Sequence, residues 1–111
     1  MSAVASIIED IRMMGGLTGV DVANVTDVSK ATVSRWEAGK AVPSTQKQLV
    51  LSDLRYIANR LAEFYAPDEA RAWLYSRNDL LGGSSAMQLL NENRTEEVLD
   101  AIEQIRSLAY I

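Results

Sequence analysis

Val28-Ser29-Lys30-Ala31-Thr32-Val33-Ser34-Arg35-Trp36-Glu37-Ala38-Gly39, with Pro43 a little beyond, reads as one short helix whose start, inner face and end are all specified. Ser29 is the cap, because its side-chain oxygen can accept from backbone N–H groups that a first helical turn leaves unpaired. Val28 and Val33 supply apolar wedges, Trp36 adds a large inner anchor, and Gly39 stops the helix. A second short helix precedes it over Thr18 to Val25, with Thr26-Asp27-Val28 as the turn and small Ala23 where the two helices cross. The β-branched valines are mediocre helix formers, so tertiary packing must hold both helices. Left on the outside are Lys30, Thr32, Ser34 and Arg35. These are the short and basic side chains that a recognition helix carries into a major groove.

In order and spacing, Val22-Ala23, Val28 to Gly39 and Pro43 resemble the Xre family of phage-repressor-like helix-turn-helix proteins. The resemblance implies DNA binding through Lys30, Thr32, Ser34, Arg35 and Lys40, with Arg35 at a base edge and Lys30 and Lys40 on phosphates. Two positions depart from the family pattern. Gly19 stands where a phosphate-contacting Gln is usual, and Asp27 where the turn usually has Gly. Asp tolerates left-handed backbone, so the fold is expected to survive while DNA affinity drops.

Helical periodicity continues on both sides. Val4, Ile7, Ile8, Ile11 and Met14 make the apolar stripe of a first helix that Gly15-Gly16 ends. After Pro43, Ser44 and Thr45 can cap a long helix, Thr45 standing in capping-box spacing with Gln48. Val50, Leu54, Ile57, Ala58, Leu61 and Tyr65 line its face, widened by Leu51 and Ala62. Pro67, Asp68 and Glu69 suit the first turn of the next helix, whose buried edge is Ala70, Trp73 and Leu74. No segment shows sustained strand alternation, so the expected class is all-α with about seven helices.

Composition excludes several kinds of function. The 111 residues contain no cysteine and no histidine. That removes disulfides, thiol chemistry, Ser-His and Cys-His catalysis and ordinary zinc sites, so no metal and no enzyme activity are expected. No apolar run approaches the ~18 residues of a membrane span. Glu9 and Asp10 stand where a secretory signal would have lysines, which points to the cytoplasm. The net charge is −4. Residues 1–48 are balanced, with five acids and five bases, and residues 49–111 hold ten acids against six bases. The two parts are therefore expected to face different partners.

A second informative stretch runs Arg71-Ala-Trp-Leu-Tyr-Ser-Arg-Asn-Asp-Leu-Leu-Gly-Gly-Ser-Ser-Ala-Met-Gln-Leu-Leu90. A helix ends, a polar turn holds Asn78, a glycine pair frees the backbone, and Ser85 with Gln88 opens a short helix in capping-box spacing. A last helix follows from near Arg94, with Val98, Leu99, Ile102, Ile105 and Ala109 on one side and Glu96, Glu97, Asp100 and Glu103 mostly opposite. The chain ends on apolar Leu108-Ala-Tyr-Ile111. From residues alone this end docks equally well in its own core or in a partner's pocket.

Trp73-Leu74, Asn78, Leu81-Gly82-Gly83, Leu89-Leu90 and Glu97-Val98-Leu99 are similar in order and spacing to the toxin-binding domain of Xre/MbcA/ParS-type antitoxins. The resemblance departs at Ala86, where Pro is frequent, and at Asn93, where Gly is frequent. It implies an antitoxin of a type II toxin–antitoxin system, using no cofactor, that blocks a RES-domain toxin degrading NAD or transferring its ADP-ribose. The implied division is a helix-turn-helix bundle over 1–65 and a toxin-binding domain over 66–111. Arg77, Asn78, Leu81, Gly82 and Gly83 would form the rim of the toxin interface, and Arg106, Tyr110 and Ile111 would enter the NAD cleft. Operator DNA would be the second partner, bound by a homodimer or by a hetero-oligomer with the toxin. The halves are expected to be separable, so that a chain lacking residues 1–43 still neutralises. The alternative function is a stand-alone repressor whose second half only dimerises.

Overall fold

Five serines and threonines set where helices start. The computed structural model of the protein describes residues 2–109. In chain order it has α1 (Ala3–Gly15), α2 (Gly19–Thr26), α3 (Lys30–Glu37), α4 (Thr45–Leu61), α5 (Pro67–Tyr75), a 3₁₀ turn (Asp79–Leu81), α6 (Ala86–Asn91) and α7 (Thr95–Ala109). Ser2, Thr18, Ser29, Ser44 and Ser85 each accept from a backbone N–H three residues on, satisfying a donor the helix cannot. At α5 the cap works in reverse: the Glu69 carboxylate accepts from the Ala66 N–H at 2.9 Å, and Pro67 takes the first position. The fold is all-α, as expected. Among the described residues the only β-type pairing is an isolated antiparallel bridge between Arg77 and Ser85.

One apolar core runs through both halves of the chain. Ile8 and Ile11 of α1 and Val22 of α2 meet Leu54, Ile57 and Leu61 of α4, and the same cluster takes in Leu74, Leu89, Leu90, Val98 and Ile102. α1 packs on α4, α5 and α3, and α4 in turn packs on α2, α6 and α7. The expected boundary at residue 65 falls in the link between α4 and α5, but no gap in the core marks it. The shared core argues against the expected separability: a chain lacking residues 1–43 would lose α1, α2 and α3 together with their share of that core. Gly16 explains the close approach of α5. Its φ is +62°, and a Cβ there would collide with the Pro67 carbonyl oxygen.

Three local expectations need correction. Ser44, rather than Thr45, caps α4, and the Gln48 amide donates to the Pro43 carbonyl at 2.8 Å instead of closing a capping box. Ala62 is exposed, because α4 ends at Leu61. Trp73 is only half-buried, whereas Trp36 is 3% exposed. Ala70 and Leu74, four residues apart, occupy the inner face of α5 and leave Trp73 at its edge. Trp36→Ala is therefore expected to cost about 3–5 kcal/mol, and Trp73→Ala about half as much. Thermal or urea unfolding of the two variants checks the ratio; equal losses would place Trp73 in the core after all.

Candidate functional site

The turn between α2 and α3 is built by side chains that answer backbone groups. The Thr26 hydroxyl donates back to the Val22 carbonyl at 2.6 Å, and Asp27 ends α2 in left-handed geometry with φ +57°. Val28 N–H then donates to the Ala23 carbonyl at 3.0 Å, and Ser29 opens α3. Lys47 reaches back from α4 to donate to the Thr26 carbonyl at 2.5 Å, a cation at the negative end of α2. Val33 and Trp36 point α3 inward, which fixes its rotation. Lys30, Ser34 and Arg35 are consequently exposed and Thr32 is half-buried, with exposed Lys40 following Gly39. Arg35 donates to the Thr32 hydroxyl at 2.9 Å, and the Thr32 and Ser29 hydroxyls lie 3.0 Å apart. Glu37, the one acid on α3, is held by Arg12 at 3.0 Å.

The second candidate surface is the loop from α5 to α6. The Asn78 side-chain oxygen accepts from Leu81 N–H at 3.1 Å, its own N–H donates to the Ser84 carbonyl at 3.3 Å, and its carbonyl accepts from Gly83 N–H at 3.0 Å. The Leu81 N–H also lies 3.1 Å from the Asn78 carbonyl, so Asn78 sets the shape of the loop through four bonds. Gly82 and Gly83 have φ of +65° and +84° with open space where a Cβ would stand, so backbone conformation is what requires glycine here. Arg77 is exposed at the loop's start. Leu81 corrects the expected rim: it is 3% exposed and part of the core, while its neighbour Leu80 is 46% exposed. Successive residues of a 3₁₀ turn point about 120° apart, so only one of the two leucines can face inward. Beyond Ile102, α7 outruns the core; Leu108 is 70% exposed and Arg106 lies 3.9 Å from Glu103. Tyr110 and Ile111 lie outside the described residues.

The sequence reading missed the charged cluster that joins the halves. Asp21, 4% exposed, accepts from the Thr18 N–H at 2.7 Å and the Thr18 hydroxyl at 3.0 Å, and is bound by the Arg71 guanidinium and the Tyr75 hydroxyl. Arg71 also donates to the Gly16 carbonyl at 3.3 Å and stacks 4.9 Å from the Tyr75 ring centre. Burial alone would raise the Asp21 carboxyl, but Arg71, Tyr75 and Thr18 outweigh it and hold the group at about 2. Burial, with the neighbouring carboxylate, pushes Tyr75 up to about 12. The local half of this cluster was visible as Thr18-x-x-Asp21 spacing. A separation of fifty positions along the chain hid its other half. At the opposite end of α2, the Asn91 amide donates to the Val25 carbonyl at 3.1 Å and the Asp27 carboxylate at 3.0 Å.

These contacts can orient and bind; among the described residues no three acidic side chains converge as a metal site would require, and no helix is long and apolar enough to cross a membrane. The Asp21 cluster also has a pH signature. The carboxyl titrates at about 2 when folded against an ordinary 3.8, so its contribution of about 2 kcal/mol is complete above pH 5 and is lost as pH falls through 4 toward 2. Asp21→Asn is expected to lower stability by at least that amount at pH 7. The gap from the parent should shrink on acidification. Urea unfolding at pH 7, 4 and 2.5 measures both, and a pH-independent gap would sink the assignment.

Comparison with known proteins agrees with this arrangement. A helix-turn-helix family model matches residues 8–47, the span from α1 into α4. The mycobacterial cidal antitoxin MbcA of Mycobacterium tuberculosis is 32% identical over 110 residues, covering 99% of this chain and 94% of that protein. The probable mycobacterial cidal antitoxin Rv3188 of the same organism is 35% identical over 107 residues, covering 96% and 91%. In the crystal structure of the M. tuberculosis MbcT–MbcA toxin–antitoxin complex, one chain superposes on this one with a TM-score of 0.85 and 30% identity, covering 100% of both. With identity above 30% across nearly the whole of both chains, this protein belongs to the MbcA family of antitoxins.

Proposed function

We propose that the protein acts in the cytoplasm as the antitoxin of a type II pair, occluding the active site of an NAD-consuming RES-domain toxin and repressing its own operon. The observation that carries this reading is the end-to-end likeness to a chain crystallised in a toxin–antitoxin complex. Occlusion asks for shape and charge rather than catalysis. A cleft that takes the diphosphate of NAD must be electropositive, and residues 49–111 carry the chain's entire charge deficit. Arg77, Asn78, Gly82 and Gly83 form the rim in this reading, with Leu80 supplying the apolar contact that buried Leu81 cannot. In this reading the end of the chain, from Arg106 through Tyr110 and Ile111, enters the cleft. Exposure of Leu108 supports a partner, not the chain's own core, as its cover.

The repressor role rests on α3. Its exposed side chains suit a major groove, and the exposure of Lys40 supports a phosphate contact beside it. Because the chain is acidic overall, a dimer or a hetero-oligomer with the toxin supplies avidity for a two-fold operator.

Co-expression with the toxin tests neutralisation. A chain ending at Ser107 is expected to keep its fold and fail to protect, since the core closes at Ile102. Full protection by that chain would remove the terminal plug. Gel shifts of the full chain and its toxin complex test repression: Lys30→Ala and Lys40→Ala should each reduce the slope of log affinity against log salt by about one unit. No shift at low salt by either species would remove DNA from the function.

A further inference from the structure

Arg35 is held differently from the arginines that pair with acids. Arg12, Arg60, Arg71 and Arg94 each meet a carboxylate. No carboxylate pairs with Arg35 among the described residues; its partner is the Thr32 hydroxyl at 2.9 Å. A carboxylate fixes a guanidinium by neutralising it. A hydroxyl fixes it and leaves the charge available.

That hydroxyl is itself fixed. Thr32 Oγ1 lies 3.0 Å from Ser29 Oγ, and Ser29 Oγ accepts from Thr32 N–H at 3.1 Å as the cap of α3. Ser29, Thr32 and Arg35 follow at three-residue spacing along one side of the helix, whose rotation buried Val33 and Trp36 set. The ladder runs from the capped end to an exposed, uncompensated cation. A guanidinium has five N–H donors, and one goes to Thr32. Two parallel donors remain for a ligand with two acceptors in a plane. In a major groove that ligand is guanine, through O6 and N7; adenine places an amino donor where O6 would be.

We propose that Arg35 reads a guanine in each half-site of the operator, and that Ser29 and Thr32 are positioning residues which hold its guanidinium fork ready for it. This inference rests on the DNA-binding reading above and assigns Thr32 a role different from direct base contact. Its hydroxyl acts through Arg35. Lys30 and Ser34, outside the ladder, have no part in the choice of base.

Selection from randomised duplexes with the full chain, free and in complex with its toxin, identifies the bound sequence. Affinities for that duplex and for its guanine-to-adenine counterpart then give the preference. The parent should prefer guanine by about tenfold or more at one position per half-site. Arg35→Lys keeps the charge but loses the planar fork, so the preference should fall several-fold with the salt slope unchanged. Thr32→Val keeps the shape but loses the acceptor, and should lower the preference several-fold without changing the salt slope; Thr32→Ser should restore it. Thermal melting near the parent's shows that the variants are folded. Binding without guanine preference, or a preference undiminished by Arg35→Lys, overturns the base assignment alone. A preference untouched by Thr32→Val overturns the positioning role. If neither the chain nor its complex binds duplex DNA, the inference falls together with the DNA-binding reading.

Discussion

The Asp21 carboxylate keeps a full negative charge at a position only 4% exposed, and the placement of α2 follows from how that charge is met. Removing a carboxylate from water costs several kcal/mol, which nearby donors must offset. Thr18 answers from within the same helix start, while Arg71 and Tyr75 answer from α5. Two of the three donors to this carboxylate come from α5, so the docking of α5 and the placement of α2 support each other. The far end of α2 is held likewise, by Lys47 of α4 on the Thr26 carbonyl and Asn91 of α6 on the Val25 carbonyl. The helix-turn-helix is thus tied at both ends of α2 by elements that lie outside it.

Much of this architecture was legible because its causes are local. A serine before an apolar run states its function within three residues, and Ser29 and Ser85 cap as their spacing required. Asp27 adopts the left-handed turn that its place between two short helices called for. Asn93 also has positive φ, at +61°, a geometry that Asn tolerates better than most residues. What stayed hidden depends on partners far along the chain. Periodicity finds the apolar face of α5 but says nothing of what covers it, so Trp73 looked as deep as Leu74. In a single 3₁₀ turn periodicity has too little length to work with, and Leu80 and Leu81 cannot be told apart until α7 is in place. The Thr32–Arg35 contact was within reach of i, i+3 reasoning. Both side chains were instead read as facing DNA.

The charge distribution and the fold distinguish two faces. On α3 the only acid is neutralised by Arg12, so Lys30 and Arg35 set the local sign even though the chain as a whole is acidic. On α7, Glu97 is held by Arg94 and Glu103 by Arg60, while Glu96 and Asp100 remain exposed. A repulsive global charge and an attractive local one act over different ranges. At physiological salt the screening length is about 8 Å, so a bound phosphate feels chiefly the side chains of α3 and its flanks.

A shared core makes these faces thermodynamically one object. α1 packs against both α4 and α5, and Ile8, Leu61, Leu74 and Ile102 sit in one cluster, so neither half has a separate core with which to unfold alone. Any partner that binds only the folded chain then stabilises all of it, by about 2.7 kcal/mol at a free concentration one hundred times its Kd. A partner on the loop between α5 and α6 needs no moving part to affect α3. Raising the folded fraction of the whole unit raises the population of the recognition helix with it, and the Asp21 clamp ensures that this helix arrives in one orientation. Joining the two surfaces through a buried charge cluster instead of a flexible linker has a cost, since damage to either half is damage to both. It also means that the two surfaces cannot be parted without dismantling the fold that presents them.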